Sequence, residues 1–195
     1  MSITVVSADK ALEMLKEGNE RFINGAETHP HIDAARRSEL ASGQHPFAVI
    51  LSCADSRVPP ELVFDQGLGD LFVIRVAGNV ARDKVIGSIE YAVKYLGARL
   101  VVVMGHEACG AVTAAMGDSD PGGHIGSILS QIKPAAYLAR TQPGDPLKNA
   151  IQLNSKLVSE QLKDCEPILK PAIANEGLKI VSAHYHLDGR VEFLD

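Results

Sequence analysis

Short apolar runs that alternate with helical patterns constrain the fold of this chain more than any other feature. Residues 47–52 (FAVILS) and 100–104 (LVVVM) are almost wholly apolar, which is typical of strands buried on both faces. Residues 71–76 and 180–184 repeat the pattern, and stretches of helical period separate the runs. Because strands that alternate with helices pair in parallel through right-handed crossovers, the sequence predicts an α/β fold.

The N-terminal region is predicted to be a helical arm. Ser7 is a suitable N-cap, and apolar residues then recur at helical spacing, so an amphipathic helix is expected over residues 8–24. A shorter helix is expected over residues 33–42. No composition shift marks a linker, so residues 1–195 are predicted to form one domain, of which residues 1–42 are the arm.

The remaining patterns complete the predicted architecture. Asp188-Gly189 is a hairpin turn signal, and it makes the last strand, residues 191–194, antiparallel to the one before it. The prediction is a central, mostly parallel sheet of four strands plus one antiparallel edge strand, flanked by helices. The further helices are expected over residues 85–96, 111–116, 125–138 and 146–162.

Composition and charge disfavour several classes of protein. The net charge of −5 is modest and the basic residues are scattered, so the sequence indicates no basic surface that would bind nucleic acid or a membrane. No apolar run approaches the ~20 residues that span a bilayer, and the N-terminus has no signal pattern. Three cysteines are too few, and odd in number, for a disulfide framework. We therefore expect a cytoplasmic protein with reduced thiols and no nucleic-acid or membrane partner.

Soft metal-binding side chains follow two of the predicted strands. Cys53 comes directly after residues 47–52, and His106 and Cys109 follow residues 100–104. Sites in such sheets lie outside the carboxyl ends of the strands, so these side chains converge if the two strands are neighbours. Two thiolates and one imidazole select zinc over hard cations, and this donor set leaves one position open for chemistry. The sequence predicts one zinc ion (Zn²⁺) per chain.

Two other interpretations of these residues stay open. The thiols could be core residues beside a buried histidine, since buried cysteine behaves as a small hydrophobe. The site could also be a closed structural zinc site in which Asp55 supplies the fourth ligand. Cys165 lies in a polar helical stretch and is interpreted as a non-ligand.

The sequence around the ligands resembles the β-class carbonic anhydrases. The matching blocks are CADSRVPPELVFDQGLGDLFVIRVAGNV, SIEYAV and GHEACGAV, and both ends of the chain (ALEMLKEGNERFINGA and LDGRVEFL) are similar to bacterial members. The resemblance implies reversible hydration of carbon dioxide to bicarbonate and a proton by a zinc-bound hydroxide. It also implies a homodimer, often paired into a dimer of dimers, with active sites near the subunit interface.

Roles for further residues follow from the same resemblance. Asp55 and Arg57, placed directly after a metal ligand, are expected to act as a pair in which an ionised carboxylate orients the hydroxide. The same carboxylate binds zinc in one subgroup at lower pH, which would close the site. Gln44, Phe72 and Tyr91 match substrate-pocket positions of the plant-like subgroup.

One residue departs from the family pattern, and two alternative functions stay open. Glu107 stands where a small polar residue such as Ser or Thr is expected, and we expect it to face solvent or a partner chain. The nearest alternative function is a carbonyl sulfide or carbon disulfide hydrolase on the same scaffold. The other is an inactive, zinc-stabilised binding or regulatory subunit.

Overall fold

Five strands form one sheet at the centre of the molecule. In this computed structural model, which describes residues 5–194, the first four strands run parallel and the last is antiparallel to its neighbour. This confirms the predicted α/β sheet. The strands are β1 (Ala48–Ser52), β2 (Leu71–Arg75), β3 (Leu100–His106), β4 (Lys179–Tyr185) and β5 (Val191–Phe193), and their order across the sheet is β2-β1-β3-β4-β5.

Helices cover both faces of this sheet. Two of them, a single turn and a seven-residue helix, were not predicted, and the single turn is too short to show a helical period. None of the helices within residues 5–194 is both long and apolar enough to span a membrane. The helices are α1 (Ala8–Ile23), α2 (Ala34–Leu40), α3 (Pro60–Val63), α4 (Asp83–Tyr95), α5 (Gly110–Met116), α6 (Ile125–Ala139), α7 (Pro146–Lys163) and α8 (Leu169–Asn175), with a short 3₁₀ turn at Ala77–Asn79.

Alternate residues of the two central strands supply two separate hydrophobic cores. In β1, Ala48 and Ile50 pack into one cluster, whereas Val49 and Leu51 pack into the other, on the opposite face. All residues of β1 and β3 are buried. The almost wholly apolar composition of these strands therefore follows from their burial on both faces.

The N-terminal helix α1 is fixed to the body of the same chain. Its residues Ala11 and Leu15 are fully buried, and the side chain of Asn19 donates to the carbonyls of Val63 (3.0 Å) and Gly189 (2.8 Å). Residues 1–4 and 195 lie outside the described part of the chain. One domain over residues 1–195 with an arm over 1–42 stays a prediction.

The register of the sheet positions the site. Strands β1 and β3 are direct neighbours, and Ser52 pairs with Met104. β3 continues to His106, two residues beyond its predicted end, because Gly105 and His106 still pair with β4. The residues that follow the two strands are thus brought to one edge of the sheet.

Candidate metal centre

Cys53, His106 and Cys109 meet at the carboxyl edge of β1 and β3. Their donor atoms all lie within 4.8 Å of one another, and all three side chains are buried. Over residues 5–194, no other group of three or more His, Cys, Asp or Glu side chains satisfies the same distance condition. The structure thus brings together the three ligands that the sequence predicts.

The imidazole of His106 is prepared to bind a metal ion. Its Nδ1 lies 2.9 Å from the carbonyl oxygen of Glu107, so Nδ1 carries the proton and donates it. Its Nε2 is buried and has no hydrogen-bond partner among the described residues. A buried acceptor without a partner is unfavourable, and a metal ion at this position would satisfy it. The donor set and this free nitrogen fit zinc.

The two thiols also favour a cation between them. A hydrogen bond from the Cys109 thiol stabilises the Cys53 thiolate and lowers the pKa of Cys53, and the same bond raises the pKa of Cys109. The two sulfurs therefore favour a shared proton over two adjacent negative charges. A zinc ion would stabilise both thiolates and release that proton.

A glycine gives the Cys53 sulfur a backbone donor. The N–H of Gly78 donates to Sγ of Cys53 at 3.3 Å. Gly78 has φ 69°, in the left-handed region, and a Cβ there would lie 2.5 Å from Cδ1 of Ile132. Only glycine combines this backbone conformation with such a close approach.

Asp55 and Arg57 form a bidentate ion pair beside the three ligands. Nε and Nη2 of Arg57 each donate at 2.9 Å to a different carboxylate oxygen of Asp55, and the Arg57 N–H donates at 3.0 Å. These side-chain hydrogen bonds lower the pKa of Asp55, so it stays ionised. Oδ2 of Asp55 lies 3.9 Å from Nε2 of His106. The pair therefore borders the metal centre, with its carboxylate held by Arg57.

Arg75 is a component of the site that sequence reasoning missed. At the end of β2, its Nε donates to the carbonyl of Cys53 (3.1 Å) and its Nη2 to that of Asp55 (2.5 Å). It thereby fixes the backbone on both sides of Ala54. Carbonyl groups exist at every position, so no residue pattern reveals this contact. The sequence signal that could have identified Arg75 is the presence of an arginine at the carboxyl end of β2, the strand next to β1.

The predicted pocket residues lie away from the metal centre of their own chain. Gln44 precedes β1 and Cys53 follows it, so the two lie at opposite ends of that strand. Phe72 pairs with Val49 near the start of β2, and its ring centroid is 6.4 Å from that of Tyr91. The structure brings Phe72 and Tyr91 together, but not to the ligands within one chain.

The remaining sequence candidates lie apart from the metal ligands. Glu107 is exposed, and its carboxylate accepts a hydrogen bond from the N–H of Leu187 (2.9 Å) in the same chain. Cys165 is partly buried and its thiol donates to the carbonyl of Gln161. Neither belongs to the three-donor group.

The chain is similar to known carbonic anhydrases along nearly its whole length. Residues 48–191 match the family model described as carbonic anhydrase. The chain is 43% identical to carbonic anhydrase 2 of Mycobacterium tuberculosis, over 95% of this chain and 92% of that protein. It is 41% identical to the carbonic anhydrase of Mycolicibacterium smegmatis, over 93% and 91%. One of two tetrameric β-carbonic anhydrases of Sordaria macrospora has a TM-score of 0.76 and 28% identity, covering 95% of this chain and 97% of that one.

Proposed function

Since this chain belongs to the β-class carbonic anhydrase family, we propose that it uses one zinc ion, held by Cys53, His106 and Cys109, to interconvert carbon dioxide and bicarbonate. The observation that carries the proposal is the bidentate Asp55–Arg57 pair directly beside the buried Cys₂His group. A purely structural zinc site needs no such pair. A catalytic site needs an ionised group here that accepts a hydrogen bond from the reacting water.

Three residues of the chain would position the reacting water. Zinc, when bound, acts as a Lewis acid that acidifies water and so provides a nucleophile near neutral pH. Asp55, kept ionised by Arg57, would accept a hydrogen bond from the reacting water and direct it towards carbon dioxide. Arg57 donates to both carboxylate oxygens, which would disfavour their binding to the metal ion. Arg75 fixes the backbone that carries Asp55.

Direct assay tests this function. Zinc-loaded protein is expected to accelerate carbon dioxide hydration in a stopped-flow indicator assay, and to act far more weakly on carbonyl sulfide. Faster turnover of carbonyl sulfide or carbon disulfide would instead identify the hydrolase. Hydration no faster than in buffer, at any pH from mildly acidic to alkaline, would favour the inactive zinc-stabilised subunit.

The position of the pocket residues supports a homodimer. Gln44, Phe72 and Tyr91 are expected to face substrate, yet they lie at the end of the sheet opposite to the ligands. They can reach a metal centre only if a second copy of the chain presents them. The surface there suits a partner: β2 is an edge strand, and the neighbouring rings of Tyr91 and Tyr95 are 49% and 63% exposed.

Mixed dimers test whether the pocket acts across the interface. A Cys109→Ala chain and a Gln44→Ala chain, co-expressed with different tags and purified through both, are expected to be more active together than either homodimer. One site of such a dimer combines intact ligands with an intact partner pocket. The control pairs a chain that carries both substitutions with a wild-type chain, and it is expected to lack a complete site. The proposal would be contradicted if the control dimer were active and the mixed dimer were not, or if a stable monomer were fully active.

The other partner predictions follow from this proposal. Carbon dioxide and bicarbonate are the small-molecule partners, and a dimer of dimers would extend the homodimer. The cytoplasmic location and the absence of nucleic-acid and membrane partners stay predictions.

A further inference from the structure

Glu107 ties the turn after β3 to the hairpin between β4 and β5. Its N–H donates to the carbonyl of Tyr185 (2.8 Å), and its carboxylate oxygen Oε2 accepts from the N–H of Leu187 (2.9 Å). Although it lies between His106 and Cys109 in the sequence, its side chain thus points away from both. The turn is held by one backbone bond and one side-chain bond.

Two successive carbonyls of this turn support two different parts of the site. The carbonyl of Glu107 accepts from Nδ1 of His106 at 2.9 Å. The carbonyl of Ala108 accepts from Nη2 of Arg57 at 3.2 Å. The orientation of the metal-binding imidazole and that of the Asp55–Arg57 pair therefore both depend on where this short backbone segment lies.

The turn is strained and poorly packed. Ala108 has φ 54°, a left-handed conformation that is unfavourable for any residue with a Cβ. Glu107 and Ala108 are exposed, and both line a cavity of about 310 Å³ shared with Lys148, His184 and His186. Because no side chain fills the space beside the turn, hydrogen bonds rather than packing must hold it in place.

We propose that Glu107 is a positioning residue of the metal centre, acting through its own carbonyl and that of Ala108. Its carboxylate anchors the turn, and the turn presents an acceptor to His106 and another to Arg57. This inference rests on the proposed zinc site. It also gives a specific role to a residue that stands where a small polar side chain is expected from the sequence.

A pair of substitutions separates the hydrogen bond from the charge. Glu107→Gln keeps a carbonyl oxygen that can accept from Leu187 but removes the charge, whereas Glu107→Ala removes both. We expect Glu107→Ala to speed zinc loss to a chromophoric chelator about tenfold and to slow hydration by a similar factor, since outer-shell partners of metal ligands contribute about 10–100-fold. Glu107→Gln is expected to restore most of the wild-type zinc retention and most of the wild-type hydration rate.

The absorption spectrum of the cobalt-substituted protein gives a second readout of ligand orientation. It is expected to change in Glu107→Ala and to return in Glu107→Gln. Glu192→Ala is the matched control, because it removes a different carboxylate of the same hairpin, 3.3 Å from His186, and is expected to change nothing at the metal. Unchanged zinc loss and spectrum in Glu107→Ala, or no recovery in Glu107→Gln, would overturn the inference. Wild-type protein that binds no zinc would refute the proposed metal site itself.

Discussion

Removal of either Asp55 or Arg57 is expected to slow carbon dioxide hydration by roughly 10²–10⁴-fold while zinc stays bound, as is typical for a lost proton-handling or positioning group. In Asp55→Asn the site keeps its shape but loses the ionised acceptor. In Arg57→Ala the carboxylate loses the two hydrogen bonds from the guanidinium and keeps only the one from the backbone N–H of residue 57, so it becomes free to turn or to bind the metal. Arg57→Lys keeps the charge but cannot form the two parallel bonds, so it is expected to be strongly impaired as well.

The two substitutions are expected to be far from additive. Each one disables the same unit, so the double variant should be little slower than the slower single variant. The measurements are hydration rates and zinc content for both single variants and the double. Rates close to wild type in either zinc-loaded single variant would refute the proposed role of the pair and leave the metal site untouched.

The chain offers a matched control for this experiment. Asp188 and Arg190 have the same spacing and similar contacts, in which the Arg190 N–H donates to the carboxylate at 3.0 Å and a single guanidinium nitrogen, Nη2, donates at 3.3 Å. This pair is exposed in the hairpin turn. Removal of either residue is expected to leave hydration unchanged, which would show that the position beside the metal centre, and not the motif itself, gives the pair its effect.

Cys109→Ala is expected to lower bound zinc from one ion per chain to a trace and to abolish hydration. Alanine fits the buried site but supplies no donor, and the two remaining ligands bind zinc far more weakly than three. Metal analysis of the purified protein tests this, and Cys165→Ala, which removes the thiol outside the three-donor group, is the control. Equal zinc in wild-type and Cys109→Ala protein would remove Cys109 from the proposed site.

Folding stability gives an independent test of the same site. Zinc that binds the native protein better than the unfolded chain raises the free energy of unfolding. Added zinc is therefore expected to raise the melting temperature of metal-free wild-type and Cys165→Ala protein, but not that of Cys109→Ala. A similar rise in all three would show that zinc stabilises the protein at another place.

The fold class and the identity of the three converging side chains could be predicted from the sequence because both depend on local patterns. Strands buried on both faces need continuous apolar runs, and β1 and β3 have them. The carboxyl ends of parallel neighbours share one edge, which places Cys53 beside His106 and Cys109. The apolar run ends at Met104, however, whereas the strand continues through Gly105 and His106. These two residues stay in the strand because they pair with β4, and no local sequence pattern reports that pairing.

Other features were decided by the tertiary structure alone. Arg75 acts on backbone carbonyls, and the side chain of Glu107 bonds to a residue eighty positions away, so neither contact leaves a trace in nearby residue types. Gln44 lies nine positions before Cys53, which suggests one site. A five-residue strand of about 17 Å instead separates them, because extended backbone rises about 3.3 Å per residue. Proximity along the chain predicts a shared site only where the backbone between two residues turns back, and the straight strand β1 does not.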